Sequence, residues 1–160
     1  MEHLRSQGVS NLSLTIAGRG CSWSACKLLI KTQEMYNLQV RFIENNEIPD
    51  LMSPHHFLVL PYRDVTQSGP LATAVAYELP VIAPNFGCFS ETYTKESAML
   101  YSQGNLVEAL KSVADISNEE YQYMKKACNK VKEANSEEHI AENYIHCFNG
   151  VMNMNSSNLC

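Results

Sequence analysis

The apolar positions of the chain follow two different spacings, which predict strands and helices in turn. Residues 57–60 form a short unbroken apolar run, typical of a strand that is covered on both faces. After a polar stretch, Leu71, Val75 and Leu79 recur at the spacing of one helix face. Residues 79–83 then predict a second strand, which has a proline near its start, where strands accept it. This order predicts a strand–helix–strand unit.

Three further strands complete the predicted sheet. Leu12, Leu14 and Ile16 alternate with small polar residues, and residues 38–43 alternate cleanly, so each segment predicts a strand. Residues 98–101 predict an edge strand. With helices between these strands, we expect a three-layer, Rossmann-like α/β domain with about five parallel strands and helices on both faces.

Two helices are predicted in the first third of the chain. Ser22 or Ser24 can cap a helix that continues to about Tyr36. Residues 48–52 predict a short helix that leads to the strand at residue 57.

The last third of the chain predicts three longer helices. Asn105 can cap a well-patterned helix at residues 106–113. Ser117, with an acid three residues later, has the pattern of a capping box and predicts the next helix. The last helix is expected to open at Ser136. Its apolar residues are expected to face the core: Ile140, Tyr144, Ile145 and Phe148.

Composition favours one globular domain at residues 1–150, followed by a frayed polar tail at residues 151–160. The chain has 160 residues, of which 45% are apolar, and this is enough for one core. A net charge of −5 argues against a nucleic-acid partner. No apolar run approaches the roughly 20 residues of a membrane span. Six scattered cysteines without a C-x-x-C pair favour reduced thiols and a cytoplasmic location.

Polar loops are predicted to follow several strands at one edge of the sheet. Ligands of open parallel sheets bind outside the carboxyl ends of the strands. Four loops are expected there, at residues 18–20, 44–46, 62–69 and 85–87. The third loop ends at a helix start, where backbone N–H groups and the helix dipole attract an anion.

The ordered series of residues 58–91 resembles a known family, the C-terminal, nucleotide-sugar-binding domain of GT-B-fold glycosyltransferases, specifically the retaining family 4, or group 1. The run Leu-Pro-Val-Ile-Ala at residues 79–83 matches its most recognisable stretch, and Asn85, Phe86, Gly87 and Glu91 match the following loop. The likeness extends from about Leu12 to about Phe148. It implies half of a GT-B fold that binds a UDP- or GDP-sugar and serves in hexosyl transfer to a glycan or lipid-linked glycan during polysaccharide biosynthesis. No cofactor and no metal are expected.

The resemblance and the loop chemistry together give a set of candidate donor contacts. The loop at residues 18–20 would lie near the donor pyrophosphate, the loop at residue 45 near the base, and the start of the helix at residue 69 would supply N–H donors. Ordinary turn chemistry is the preferred explanation of Asn45, and a solvated surface charge that of Arg19; Tyr62 is also explained by core packing. The catalytic residues stay unassigned. The nucleotide-sugar-binding candidates are Gly18, Arg19, Gly20, Asn45, Tyr62, Thr66, Gln67, Ser68, Gly69 and Thr73.

Two departures from the family pattern limit what the resemblance implies. Many members carry two glutamates eight positions apart, and the corresponding positions here hold Val65 and Thr73. The N-terminal half, which carries the acceptor site, is not in this chain. We therefore expect activity to need that half, as a preceding domain or a separate subunit. Peripheral membrane association, if there is any, is expected to come through the same half.

Three alternatives to a glycosyltransferase donor domain remain at this point. One is a non-catalytic sugar-nucleotide-binding or pairing subunit. Another is a fragment of a nucleotide-sugar 2-epimerase, which Pro70 and the apolar residues after it disfavour, because those enzymes carry a glycine and a glutamate there. The third is a flavodoxin-like or receiver-like domain, which the loop at residues 18–20 does not favour. The pair His55 and His56 lacks nearby acidic partners, so a surface turn is preferred to a metal site.

Overall fold

The computed structural model describes residues 1–20 and 22–157, so Cys21 and residues 158–160 lie outside the described residues. The expected frayed tail lies partly in that last segment and stays a prediction. The described residues form five strands, and every strand pairing among them is parallel. The strands are β1 (Leu14–Ala17), β2 (Tyr36–Gln39), β3 (Leu58–Val59), β4 (Val81–Pro84) and β5 (Ala98–Tyr101).

Helices connect the strands and cover them. Short 3-10 turns lie at Gln33–Met35 and Asn45–Glu47. The helices are α1 (Glu2–Ser6), α2 (Trp23–Lys27), α3 (Ile48–Met52), α4 (Gly69–Ala76), α5 (Cys88–Thr92), α6 (Leu106–Ala114), α7 (Asn118–Ala134) and α8 (Glu137–Ser157).

The strands are arranged in two parallel sheets, one with the order β1-β2 and one with the order β3-β4-β5. The side chain of His55 connects the segment between α3 and β3 to β1. Its Nδ1 lies 2.7 Å from the carbonyl oxygen of Leu51, and its Nε2 lies 2.6 Å from Thr15 Oγ1 on β1. His55 is therefore a half-buried connector and not a surface turn residue. The predicted Rossmann-like α/β class, with parallel strands and surrounding helices, is confirmed.

β4 is the centre of the core, because it is paired on both sides and buried along its whole length. On one face, Leu71, Val75 and Leu79 of the α4 segment pack with residues of α5 and α7. On the other face, Ile82 packs with Val113 of α6. The helical stripe that the sequence predicted is thus the inner face of α4, and helices cover both sides of this sheet.

The predicted helix from residue 22 or 24 to Tyr36 is wrong in its second half. α2 ends at Lys27, and Tyr36 begins β2. The cause is the carboxylate of Glu2, which accepts hydrogen bonds from the backbone N–H groups of Lys31 (2.8 Å) and Thr32 (3.0 Å). These bonds hold the segment after α2 in a non-helical path.

The second strand is also displaced from its predicted position at residues 38–43. β2 occupies Tyr36–Gln39, and the chain turns directly afterwards. The backbone N–H of Arg41 donates to the carbonyl oxygen of Gln39 at 2.9 Å, a tight turn that ends the strand. Phe42 therefore belongs to the loop at the carboxyl end of β2.

The expected burial of the apolar residues of α8 is wrong. Ile140, Tyr144, Ile145 and Phe148 are between 43% and 67% exposed. Within the described residues α8 packs mainly against α7, which covers none of these four side chains well. The apolar face of α8 is consequently a surface of the described chain.

Candidate functional site

The loops at the carboxyl ends of the strands come together in two groups, one for each sheet. In the first, the Arg19 guanidinium lies over the ring of Phe42, 4.9 Å from its centroid, so the loops after β1 and β2 are in contact. In the second, a Cβ atom at Gly87 would lie 3.1 Å from the carbonyl oxygen of Val65, so the loops after β3 and β4 are in contact. No hydrogen bond among the described residues joins the two groups directly.

Ser68 is the N-cap residue of α4. Its Oγ accepts a hydrogen bond from the backbone N–H of Leu71 at 3.2 Å, and its carbonyl oxygen accepts from Ala72 at 3.2 Å. Pro70 has no N–H group. Of the first helical turn, the N–H of Gly69 is therefore the donor left for a ligand, next to the hydroxyl hydrogen of Ser68.

The surroundings of Gly69 are open. Thr66, Gln67 and Gly69 are exposed, and apart from its chain neighbours and the helix backbone no atom lies within 4 Å of the position that a Cβ of Gly69 would occupy. The space where a Gly69 side chain would lie is therefore open to a ligand. Thr73 lies one turn further and donates its hydroxyl hydrogen to the carbonyl oxygen of Gly69 at 3.2 Å. Its oxygen can still accept a hydrogen bond.

Tyr62 forms the inner wall of this loop. It is half-buried, its ring packs 5.5 Å from that of Phe89, and it belongs to the margin of the core. This is the packing role that competes with a ligand role in the sequence. Val65, where many family members have a glutamate, packs its backbone and Cγ1 against Gly87.

The loop after β1 has an exposed cation. The N–H of Gly18 donates to the carbonyl oxygen of Gln39 at 3.2 Å, and the carbonyl oxygen of Gly20 accepts from the N–H of Trp23 at 3.3 Å. These bonds fix both ends of the loop, with Arg19 exposed between them. The guanidinium is held by Phe42, a residue that the sequence analysis missed because the second strand was extended over it.

Asn45 lies at the start of the exposed 3-10 turn after β2. The turn is held by Glu47, whose carboxylate accepts hydrogen bonds from the Arg41 guanidinium (2.6 and 2.9 Å) and from the N–H of Glu44 (2.9 Å). The pair with Arg41 and the bond from Glu44 lower the pKa of Glu47 to about 2. Asn45 is thereby presented to solvent on an ordered turn, and its own side chain is available to a ligand.

A comparison with models of known protein families shows the family of the chain. A family model described as glycosyl transferases group 1 matches residues 1–137. The chain belongs to the group 1 glycosyltransferases. A search of curated proteins found no match. The resemblance drawn from residues 58–91 is confirmed, and the family implies glycosyl transfer from a sugar donor.

Two cavities of this glycosyltransferase chain lie away from the candidate residues. One, of about 690 Å³, lies between the start of β5, the end of α6 and the start of α7. The other, of about 500 Å³, is bordered by α1, α2 and the turn after α2. Neither is lined by a residue of the candidate set, so these two cavities are separate from the carboxyl edge.

The described residues contain no group of three or more His, Cys, Asp or Glu side chains placed to hold a metal ion. None of their helices combines the length and the apolarity that crossing a bilayer requires.

Proposed function

We propose that this group 1 glycosyltransferase chain is the donor-binding half of a retaining hexosyltransferase, and that it binds a UDP- or GDP-sugar through its diphosphate at the start of α4. The observation that carries the proposal is the open N–H group of Gly69 beside the Ser68 hydroxyl. Both lie at the carboxyl edge of a parallel sheet, where ligands of such sheets bind. The positive end of the α4 dipole favours the negative charge of a diphosphate there.

The second group of loops supports a place for the nucleoside. The Arg19 guanidinium lies over the ring of Phe42, and Asn45 stands on a turn that is closed by hydrogen bonds. An aromatic ring, a guanidinium plane and an amide are the groups that stack on and hydrogen-bond to a nucleobase. With valine at position 65, a ribose would find the oxygen of Thr73 in place of a carboxylate.

Catalysis in this proposal needs a second half. The acceptor site of a GT-B enzyme lies across the interdomain cleft, and we assign no catalytic residue in this chain. The partner is an N-terminal acceptor-binding domain or subunit. A reducing, cytoplasmic location is supported by the cysteine pattern of the sequence, which has six scattered cysteines and no C-x-x-C pair.

Ser68→Ala tests the diphosphate site. We expect the affinity for UDP or GDP, measured by isothermal titration calorimetry, to fall several-fold because one hydroxyl donor is lost and the first helical turn loosens. The unfolding free energy should fall by about 1 kcal/mol because a helix cap is lost.

Ser117→Ala is the matched control. Ser117 caps α7 through the N–H of Glu120 at the same 3.2 Å distance, but it lies at another helix. We expect a similar loss of stability and unchanged nucleotide affinity. Equal affinities of the two variants, or no heat from UDP, GDP and their sugars at millimolar concentration, would count against the site.

A non-catalytic pairing subunit is the second candidate, and the exposed apolar face of α8 favours it. The distinction is made by transfer assays with the isolated chain and with its N-terminal half added. Nucleotide binding without transfer in both assays would favour the subunit over the enzyme.

A further inference from the structure

Leu28 and Leu29, in the turn after α2, are the most exposed large apolar side chains of the described residues. They are 83% and 71% exposed. Adjacent leucines in such a position leave a substantial apolar area in water, and contiguous patches of this kind mark interaction sites. The donor-site proposal gives these residues no role.

The two leucines lie on a surface that also carries an aromatic side chain and two lysines. Together with Trp23 and Lys31 they border the cavity of about 500 Å³, into which Ile16 of β1 also projects. Lys27, directly before Leu28, is exposed. We call Trp23, Lys27, Leu28, Leu29 and Lys31 the basic–apolar patch.

The stretch of sequence that holds this patch is basic, whereas the whole chain is acidic. The sequence carries no Asp or Glu from His3 to Gln33, whereas four of its 12 Lys and Arg residues lie there, in a chain with a net charge of −5. The carboxylate of Glu2 borders the same cavity. Hydrogen bonds from the backbone N–H groups of Thr32 and Lys31 and from the Thr32 hydroxyl lower its pKa to about 2, so it is ionised and offsets one of the lysine charges. The next acid, Glu34, follows the patch in an exposed position.

We propose that the basic–apolar patch docks this chain on an anionic lipid surface. Leu28 and Leu29 enter the boundary between headgroups and acyl chains, Trp23 lies at headgroup level, and Lys27 and Lys31 contact lipid phosphates. Leucine and tryptophan flanked by lysines is the composition of interfacial membrane anchors, and each lysine adds electrostatic attraction to an anionic leaflet.

The same composition argues against a protein as the occupant. Lysine is depleted in protein–protein interfaces, and a stable interface covers roughly 800 Å² on each partner. Two leucines and a half-buried tryptophan present far less than that. A lipid surface needs no such area, because shallow insertion and charge attraction add to each other.

The experiment uses the chain's single tryptophan as its reporter. Trp23 fluorescence is recorded while vesicles of phosphatidylcholine, with or without phosphatidylglycerol, are added, and bound protein is measured by co-sedimentation. We expect a blue shift and binding with the anionic vesicles only, and loss of both at high salt. Lys27→Gln with Lys31→Gln should weaken partitioning about fivefold for each lysine. Leu28→Ser with Leu29→Ser should abolish the blue shift.

Matched double substitutions elsewhere on the surface are the controls for non-specific binding to vesicles. Ile145→Ser with Phe148→Ser removes a comparably exposed apolar pair from α8, and Lys126→Gln with Lys130→Gln removes two exposed lysines from α7. Both pairs should bind vesicles like the unmodified chain. The proposal is overturned if the control pairs lose as much binding as the patch variants, or if no vesicle shifts Trp23. It is also overturned if light scattering shows a dimer that Leu28→Ser with Leu29→Ser returns to a monomer, since the patch would then bind a second copy.

Discussion

Gly87 shows how a single backbone conformation holds two loops of the candidate edge together. Its φ of 55° and ψ of −147° lie in a region that glycine adopts and other residues rarely do. A Cβ atom there would also lie 3.1 Å from the carbonyl oxygen of Val65 and 3.3 Å from its Cγ1. Glycine is therefore required at this position both by its conformation and by the close approach of the neighbouring loop.

Gly87→Ala is expected to lower the unfolding free energy by about 1–3 kcal/mol, measured by urea denaturation, because strain and crowding add at this site. Gly150→Ala is the control, since Gly150 lies in the helix α8 with no atom within 4 Å of its Cβ position. That change should raise the stability of α8 by up to about 1 kcal/mol. If Gly87→Ala left the unfolding free energy unchanged, the loop after β4 would be able to relieve the strain and the crowding without cost.

At the scale of single residues, local chemistry was predictable and loop contacts were not. The capping box at Ser117 is confirmed, since its N–H donates to the Glu120 carboxylate at 2.9 Å while its Oγ accepts from the Glu120 N–H at 3.2 Å. The pattern Ser-Gly-Pro likewise predicted the start of α4. Asn105, by contrast, makes no side-chain capping bond. The contact of Arg19 with Phe42 depends on two loops meeting in space, which no local pattern encodes.

At the scale of elements, α4 ends in a motif that usually contains glycine. The N–H of Leu79 donates to the carbonyl oxygen of Ala74 at 2.9 Å, and the N–H of Glu78 to that of Val75 at 3.1 Å, which is the Schellman arrangement. The residue in the left-handed conformation is Glu78, with a φ of 53°. Its carboxylate accepts a hydrogen bond from Lys132 of α7 at 2.7 Å, so an ion pair accompanies the strained turn.

Glu78→Gly should raise the unfolding free energy by a few tenths of a kcal/mol up to about 1 kcal/mol, because relief of the left-handed strain outweighs a surface ion pair. Thermal and urea unfolding of a double-mutant cycle with Lys132→Gln measures the two terms separately. In the Lys132→Gln background the gain should be larger, since the ion pair is already absent. A loss of stability in that background would show that Glu78 is not strained.

Several elements were predicted with their observed bounds, including the short helix α3 and the short strand β5. The inner face of α4 follows directly from its apolar spacing. The segment after α2 has an apolar run at Leu28 that also fits a helix, but the N–H groups of Lys31 and Thr32 donate to the carboxylate of the distant Glu2 instead of to helical carbonyl groups. For α8 the apolar spacing was correctly seen, but spacing alone does not show whether a neighbouring element covers the face.

At the scale of the whole molecule, the core around β4 encloses polar groups that must stay neutral. Cys128 of α7 is only 1% exposed, and its thiol donates to the carbonyl oxygen of Ser97 at 3.4 Å. Burial raises the pKa of Cys128 from 9.0 to about 11. Burial also raises the pKa of Tyr93, whose hydroxyl donates to the carbonyl oxygen of Leu79 at 3.0 Å.

Stability is expected to fall as the pH rises from about 9 to about 11. In that window the Cys128 thiol ionises in the unfolded chain and stays protonated in the folded one, so alkali favours unfolding. Urea unfolding at a series of pH values, with reductant present, measures the slope. Cys128→Ala should flatten it, and Cys147→Ala, which removes an exposed thiol, serves as the control. An equally steep slope for Cys128→Ala would assign the effect to other groups such as Tyr93.

The parallel registers have a consequence for how the chain folds. Leu14 is paired with Tyr36, Leu58 with Val81, and Val81 with Ala98. Because these paired strands are parallel, no two neighbours among the described residues can form a hairpin. The connection that contains the intervening helix must close a long loop before the two strands can pair. Folding of this chain is therefore expected to be slow for its size, and misplacement of β4 would delay the pairing of both β3 and β5.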